Sequence, residues 1–239
     1  MKQKRLLAVL LFFTLVIGTY IVSLTTKYEV SEVRAVFNVS SLKANCCIKE
    51  INEITEDYNI KVYYPECKYS KLNEKIKEKM DRYVNEFKDE IKQYQKIGDN
   101  KFALQINFDS YEYEEYISYV FHIFIDTQGA HPNTYIWTIS YDTKNNEIID
   151  IKSLISRNKD LLNVLSDYTF NYLKNDERLK ENLVQEMLED GTSTKKENFS
   201  NFAFSKEGLI IFFERYSVAP YSSGEFEVLV PYDKLDILK

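Results

Sequence analysis

The residues able to do chemistry in this 239-residue sequence are few, and they begin with two histidines, His122 and His131, and three cysteines, Cys46, Cys47 and Cys67. His131 sits in Gln128-Gly129-Ala130-His131-Pro132-Asn133, the most loop-like stretch between two strand-like runs, and loops held on a rigid scaffold often carry function. An imidazole there can move a proton or touch a ligand. No Ser or Cys nucleophile motif and no Gly-rich oxyanion loop accompanies it, so no catalytic residue is assigned. Gly129, His131 and Asn133 are read as ligand contacts instead. His122 lies inside the apolar run Val120–Ile125, where a hydrogen-bonded core histidine is expected. Three Cys and two distant His at unpatterned spacing do not make a metal site, and no cofactor is implied.

Tyrosine is the outlier of the composition, at 19 residues against a single Trp. Tyr111-Glu112-Tyr113-Glu114-Glu115-Tyr116 alternates ring and acid, so an extended backbone puts Tyr111 and Tyr113 on one face and Glu112 and Glu114 on the other. Rings beside carboxylates stack on sugars or clasp cations, and they also simply suit a half-buried strand. Tyr216-Ser217-Val218-Ala219-Pro220-Tyr221-Ser222-Ser223-Gly224 is a Pro- and Gly-punctuated connection whose two tyrosines, Tyr216 and Tyr221, are positioned to flank a groove.

The elements that must hold these residues are legible from periodicity. Ile60–Pro65 reads as a strand ended by Pro65. Ser70 is expected to cap a long helix whose apolar positions Leu72, Ile76, Met80, Val84, Phe87, Ile91 and Tyr94 form one stripe, stopped at Gly98. Strands are expected at Phe102–Phe108, Tyr116–Asp126, Thr134–Asp142 and Ile148–Ile151. Helical periodicity returns from Leu161 to a stop at Gly191. Strands follow at Phe199–Phe204, Leu209–Tyr216 and Glu225–Val230, with a terminal helical turn over Pro231–Leu238. The expected fold class is α+β: antiparallel sheets with a long N-terminal helix and a second helical pair packed on them, after one N-terminal transmembrane helix.

That membrane helix is read from the first residues. Residues 1–5 are a short basic start, and Leu6–Leu24 holds no charge, long enough to span a roughly 30 Å hydrocarbon core. An uncleaved anchor is favoured over a signal peptide, whose apolar region is shorter and ends in a small-x-small site. The basic start should remain cytoplasmic, and the rest should face outward. With the three basic residues of 1–5 set aside, 28 Lys+Arg face 37 Asp+Glu, a net −9. Such a body repels nucleic acid and attracts cationic partners. In an oxidising location Cys67 is expected to pair with Cys46 or Cys47, leaving one thiol over.

Three segments together resemble a bacterial envelope family. Ile60–Pro65 followed by Leu72-Asn73 is similar to the module that precedes the catalytic domain of PdaC-type peptidoglycan deacetylases. Gly129-Ala130-His131-Pro132-Asn133-Thr134, then Tyr141-Asp142 and Ile149–Ile155, resembles the middle of that module. Phe212-Phe213 through Tyr216, Ala219-Pro220-Tyr221, Gly224 and Val230-Pro231-Tyr232-Asp233-Lys234-Leu235 resemble its C-terminal companion. The same pair of modules forms the extracellular region of RsiV-type anti-sigma factors, which acts as a lysozyme receptor. Pro132 stands where the family has Gly, and Lys144-Asn145-Asn146 replaces its Gly turn. The sigma-binding region and the deacetylase motifs of those proteins match nothing in this sequence. The n-region 1–5 and anchor 6–24 read above, with a stalk over 25–57, make a single-pass cell-membrane protein, and the resemblance implies that a PdaC-like module 58–155 and an RsiV-like module 156–239 follow. Its implied role is an outward-facing binding or sensor domain for a lysozyme-like cationic protein or cell-wall glycan. The alternatives are a wall-modifying hydrolase using His131 and an accessory subunit of another envelope protein.

Overall fold

The computed structural model describes residues 46–180 and 183–237, all within the compact unit Phe37–Lys239. The expected anchor and basic start, and residues 25–45 of the expected stalk, lie outside the described residues. Among the described residues no helix is long and apolar enough to cross a membrane.

The described chain opens with a strand rather than a stalk. β1 (Cys47–Ile54) turns at Thr55, whose hydroxyl accepts from the Asp57 and Tyr58 amides, and pairs antiparallel with β2 (Tyr58–Glu66). The strand escapes periodicity arguments because it is a sheet edge with most side chains exposed. Pro65 does not end β2. It stays in register opposite Ile48.

Helix α1 (Ser70–Ile91) buries Leu72, Ile76, Met80, Val84, Phe87 and Ile91 as one stripe. Ser70 is its first residue and not its cap; the chain is held there by Asn73, whose amide side chain bonds both the Cys67 N–H (2.9 Å) and the Cys67 carbonyl (2.6 Å). The helix ends at Ile91, so Tyr94 is left 49% exposed on the connection to β3.

β3 (Phe102–Tyr113) runs parallel to β2, with Tyr58 opposite Phe102 and Val62 opposite Ile106. This corrects the expectation of purely antiparallel sheets. A helix laid across one face returns the chain to the edge where it started, and the next strand then runs the same way. β4 (Tyr116–Asp126), β5 (Asn133–Asp142) and the short β6 (Glu147–Ile149) continue antiparallel, giving a six-stranded sheet in order β1 to β6.

The rest of the chain supplies three further helices and a second sheet. Asp150 caps α2 (Ile151–Arg157) by accepting from Ser153 N–H at 2.8 Å. The helical pair expected between Leu161 and Gly191 consists of α3 (Leu161–Lys174) and α4 (Gln185–Gly191), separated by a 3-10 turn Glu177–Leu179. The break falls where Asp176 caps the turn through Arg178 N–H. β7 (Phe202–Phe204), β8 (Leu209–Phe213) and β9 (Phe226–Val230) form an antiparallel three-stranded sheet. The fold is mixed α+β. The boundary drawn at 155/156 falls inside α2.

β4 explains the layering. Ile117, Tyr119, Phe121 and Ile123 point into a first core shared with α1, while Tyr116 and Val120 point away from it toward the second sheet. Burial on both faces turns the expected alternation into an unbroken buried run from Tyr116 to Phe121. The second sheet packs on that far face through Val120, Ile136, Ala203 and Phe212. Its own far side, with Leu209, Ile211, Phe213 and Val228, buries Leu165, Leu173 and Leu188 of the later helices.

Candidate functional site

Among the described residues no strand lies beside the outer edge of β5 beyond the short β6, and unpaired edge groups are a liability. Side chains and backbone from residues 201–221 satisfy this edge instead. Asn201 donates to the Ile136 carbonyl (3.0 Å), Glu214 accepts from the Ile136 N–H (2.7 Å) and the Thr138 hydroxyl accepts from Phe202 N–H (3.0 Å). Two more bonds extend the seal: Arg215 Nε donates to Thr134 Oγ1 (3.0 Å) and the Tyr221 hydroxyl donates to the Pro132 carbonyl (3.0 Å). This lacing carries the Tyr216–Gly224 connection onto the His131 loop.

The His131 loop is itself fixed at its root. Gln128, at φ 59°, accepts from Ile97 N–H with its side-chain carbonyl and donates from its amide to the Asn100 carbonyl. The opposing loop rests on Gly191: a methyl group there would overlap the Ser217 carbonyl and the Val218 side chain. Tyr216 adopts φ 67°, a left-handed conformation that strains a bulky residue by about 1 kcal/mol.

Where the two loops meet, the His131 ring stacks on Tyr221 with centroids 4.2 Å apart and planes 26° from parallel. Arg215 lies on the Tyr221 ring too, its guanidinium carbon 4.6 Å from the centroid, and donates to the Tyr221 carbonyl at 3.0 Å. Glu225 approaches Arg215 Nε at 3.8 Å. Tyr216 completes the cluster, 5.5 Å from Tyr221 and 56% exposed. His131 is exposed, its Nδ1 at 3.0 Å from the Pro132 carbonyl. The surface thus offers an open imidazole and an open phenol over a rigid ring and guanidinium, which suits stacking and hydrogen bonding to a polar ring system.

Of the seven residues singled out in the sequence, His131, Tyr216 and Tyr221 come together here. Gly129 and Asn133, both exposed, lie on the same loop and at the first position of β5. Tyr111 and Tyr113 do not join them. They lie toward the other end of the sheet, beside the β3–β4 turn, where Tyr111 packs against Phe212 at 6.4 Å and Tyr113 stacks on Tyr232 at 4.6 Å. Both rings do face one way, but that way is toward the second sheet and the C-terminal turn. Burial pushes the Tyr111 phenol up to about 12.

His122 departs from the expected core histidine. Its side chain is 38% exposed on the second-sheet side of β4, with Nε2 2.9 Å from Asp109 Oδ2. That hydrogen bond raises its pKa against the opposing effect of burial, with Glu225 and Glu227 adding to the field. The disulfide joins Cys46 to Cys67, Cα atoms 4.2 Å apart, and Cys47 is a free, exposed thiol. Register explains the choice: Cys47 stands opposite Glu66, which places Cys46 opposite Cys67. Among the described residues no group of His, Cys, Asp and Glu could hold a metal ion.

Sequence reasoning missed the residues that build the floor of this surface. Arg215 and Glu214 escaped because capping a strand edge from a distant loop leaves no periodic mark. The signal available was a lone cation beside the tyrosines of a Pro/Gly-punctuated connection.

Residues 152–233 match the family described as "Protein of unknown function (DUF3298)". Over 185 residues the chain is 28% identical to the "Peptidoglycan-N-acetylmuramic acid deacetylase PdaC" of Bacillus subtilis, covering 76% of this chain and 39% of that protein. The chain therefore spans well under half the length of this curated relative. A crystal structure of a DUF3298 family member from Bacteroides fragilis superposes with TM-score 0.51 at 17% identity, over 79% of this chain and 90% of that one. One from Pseudomonas aeruginosa gives TM-score 0.56 at 12% identity, over 80% and 92%. The helices and second sheet that follow β6 are thus a DUF3298 match, carried on a fold that this chain shares with two solved proteins of that family.

Proposed function

We propose that this chain is an extracytoplasmic binding domain of the bacterial cell envelope, tethered through residues 6–24, and that its ligand is cell-wall glycan. One observation carries the reading: His131 and Arg215 are both packed on Tyr221, with Tyr216 exposed beside them, on a strand edge sealed by five hydrogen bonds from the opposing segment. A prearranged aromatic surface binds a ring without first ordering its own side chains. The similarity to a peptidoglycan deacetylase supports a wall ligand, and the RsiV-type resemblance makes a lysozyme-like cationic protein the competing partner. The proposed activity is binding without turnover. His131 contacts the Pro132 carbonyl and the Tyr221 ring, and neither is an acid that could share a proton-transfer role with it.

The test is retention of the full chain, in detergent micelles, on purified sacculi at low salt, beside an immobilised lysozyme. Retention on sacculi, reduced by Tyr216→Ala, is expected. Retention on lysozyme alone would move the reading to the protein partner, and retention on neither would end it. A muropeptide digest with wild type and His131→Ala addresses the hydrolase alternative: identical product profiles with and without protein are expected.

A further inference from the structure

Further along the outer edge of β5 lies a second group of side chains that the His131 cluster does not use. Lys79 and Tyr83 are one turn apart on α1. The Lys79 ammonium sits 4.7 Å from the Tyr83 ring centroid and 5.7 Å from that of Trp137. Trp137 is backed by Phe121, stacked at 5.0 Å, so its ring is fixed in place. Tyr135, two residues earlier on the same face of β5, is 42% exposed. On the other side stands Glu214, half-buried and anchored to the Ile136 N–H.

Two charges in this group are unspent. Among the described residues neither Lys79 nor Glu214 has an ion-pair partner within 4.0 Å, although each senses the other's charge. Burial lowers the pKa of the Lys79 ammonium and raises that of the Glu214 carboxyl. Partly desolvated charges of this kind are costly unless something hydrogen-bonds to them. Lys79 offers three donors, and the Glu214 carboxylate has acceptor capacity beyond its one backbone bond. An anion alone would be repelled by Glu214 and a cation alone by Lys79. What fits is a ring with an apolar face for the aromatic side chains, donors at one part of its rim and an anionic group at another.

We infer that the Lys79–Tyr83–Tyr135–Trp137–Glu214 surface is a subsite for an amino-sugar pyranose bearing a carboxylate, with the ring on the aromatic side chains, the carboxylate at Lys79 and N–H or O–H donors at Glu214. It rests on the wall-glycan reading above and adds the sugar it selects. Arg215 holds Thr134 and Glu214 holds Ile136, so this subsite and the His131 cluster share one strand edge. From Asn133, beside the His131 loop, to Trp137 that edge runs about 13 Å, room for consecutive units of one glycan strand.

Trp137 is the single tryptophan of the chain, so its emission reports on this subsite directly. The full chain is titrated with a tetrasaccharide of alternating N-acetylglucosamine and N-acetylmuramic acid, and separately with chitotetraose, which has no carboxylate. A saturable emission change with tighter binding of the first is expected. Lys79→Met should weaken that ligand about tenfold and erase its advantage over chitotetraose. Tyr135→Ala should weaken both about tenfold, and Tyr135→Phe, which keeps the ring, should bind as wild type. Tyr135 is exposed, so its variants are expected to melt like wild type. If sacculi retain the chain but Trp137 emission stays still, and sacculi also retain Lys79→Met and Tyr135→Ala like wild type, the subsite is wrong and the wall reading stands. If sacculi do not retain the chain at all, both fall.

Discussion

Tyr221 is the residue through which the two loops are coupled, and its hydroxyl and its ring do separable things. The hydroxyl ties the loop to the Pro132 carbonyl, while the ring carries His131 on one contact and Arg215 on another. Tyr221→Phe should cost about 1 kcal/mol of stability and leave sacculus binding nearly intact, whereas Tyr221→Ala should lose the platform and most of the binding. Urea unfolding together with the sacculus assay separates the two. His122 makes a prediction of a different sort. Its hydrogen bond to Asp109 raises its folded pKa above the ordinary value of 6.5. Its contribution is therefore complete below about pH 6.5 and is lost as pH rises through the raised folded value. Wild type should exceed Asp109→Asn in stability at pH 5.5 by less than about 1 kcal/mol, because the pair is half-exposed, and the gap should close by pH 8.5. A gap that widens with pH would refute the assignment. At this scale the sequence marked His131, Tyr216 and Tyr221 by their loop chemistry. It could not separate them from Tyr111 and Tyr113, since a strand alternation places rings on one face without saying what covers that face.

The elements divide by how much of their cause is local. The stripe from Leu72 to Ile91 and the strand Tyr116–Asp126 were legible because a core-facing helix and a long central strand write their burial into nearest-neighbour spacing. β1 was not legible, since an exposed edge strand has no buried face to pattern. Nor was the parallel β2–β3 pairing, which depends on where the intervening helix lies. The Cys46–Cys67 disulfide secures that poorly marked strand to β2. Its bonded residues are 21 apart in sequence, and closing a loop of that size is worth roughly 3 kcal/mol. Cys67→Ser should therefore lower the unfolding midpoint clearly, while Cys47→Ser, which touches only the exposed thiol, should not. Gly191, at the end of α4, tests the loop that presents Tyr216. Gly191→Ala must displace Ser217 and Val218, and a loss of about 1–3 kcal/mol with weakened sacculus binding is expected. Full retention of both would mean that the loop is not positioned from below.

At the scale of the whole molecule, the DUF3298 match begins at residue 152, yet its packing does not begin there. Tyr116 of β4 stacks on Phe204 at 4.2 Å, and Tyr113 of β3 stacks on Tyr232. The Ser118 hydroxyl, bonded to Ser140 at 2.7 Å, accepts from the buried Phe204 N–H at 3.0 Å. Asn201, Phe202, Glu214 and Arg215 find their partners on β5. Removing the first sheet would leave the Phe204 amide without its acceptor and expose Ala203 and Phe212 to water, each loss adding to the next. A fragment of residues 151–239 should accordingly show no cooperative thermal transition, while the full chain melts as one. Ser118→Ala in the full chain is the milder version of the same cut and should cost about 1–3 kcal/mol. If the fragment melts cooperatively by itself, the two sheets are independent bodies. The β5 edge would then be a surface that the second sheet can leave, and the binding site proposed along it would need a second condition, closure, before it could hold a ligand.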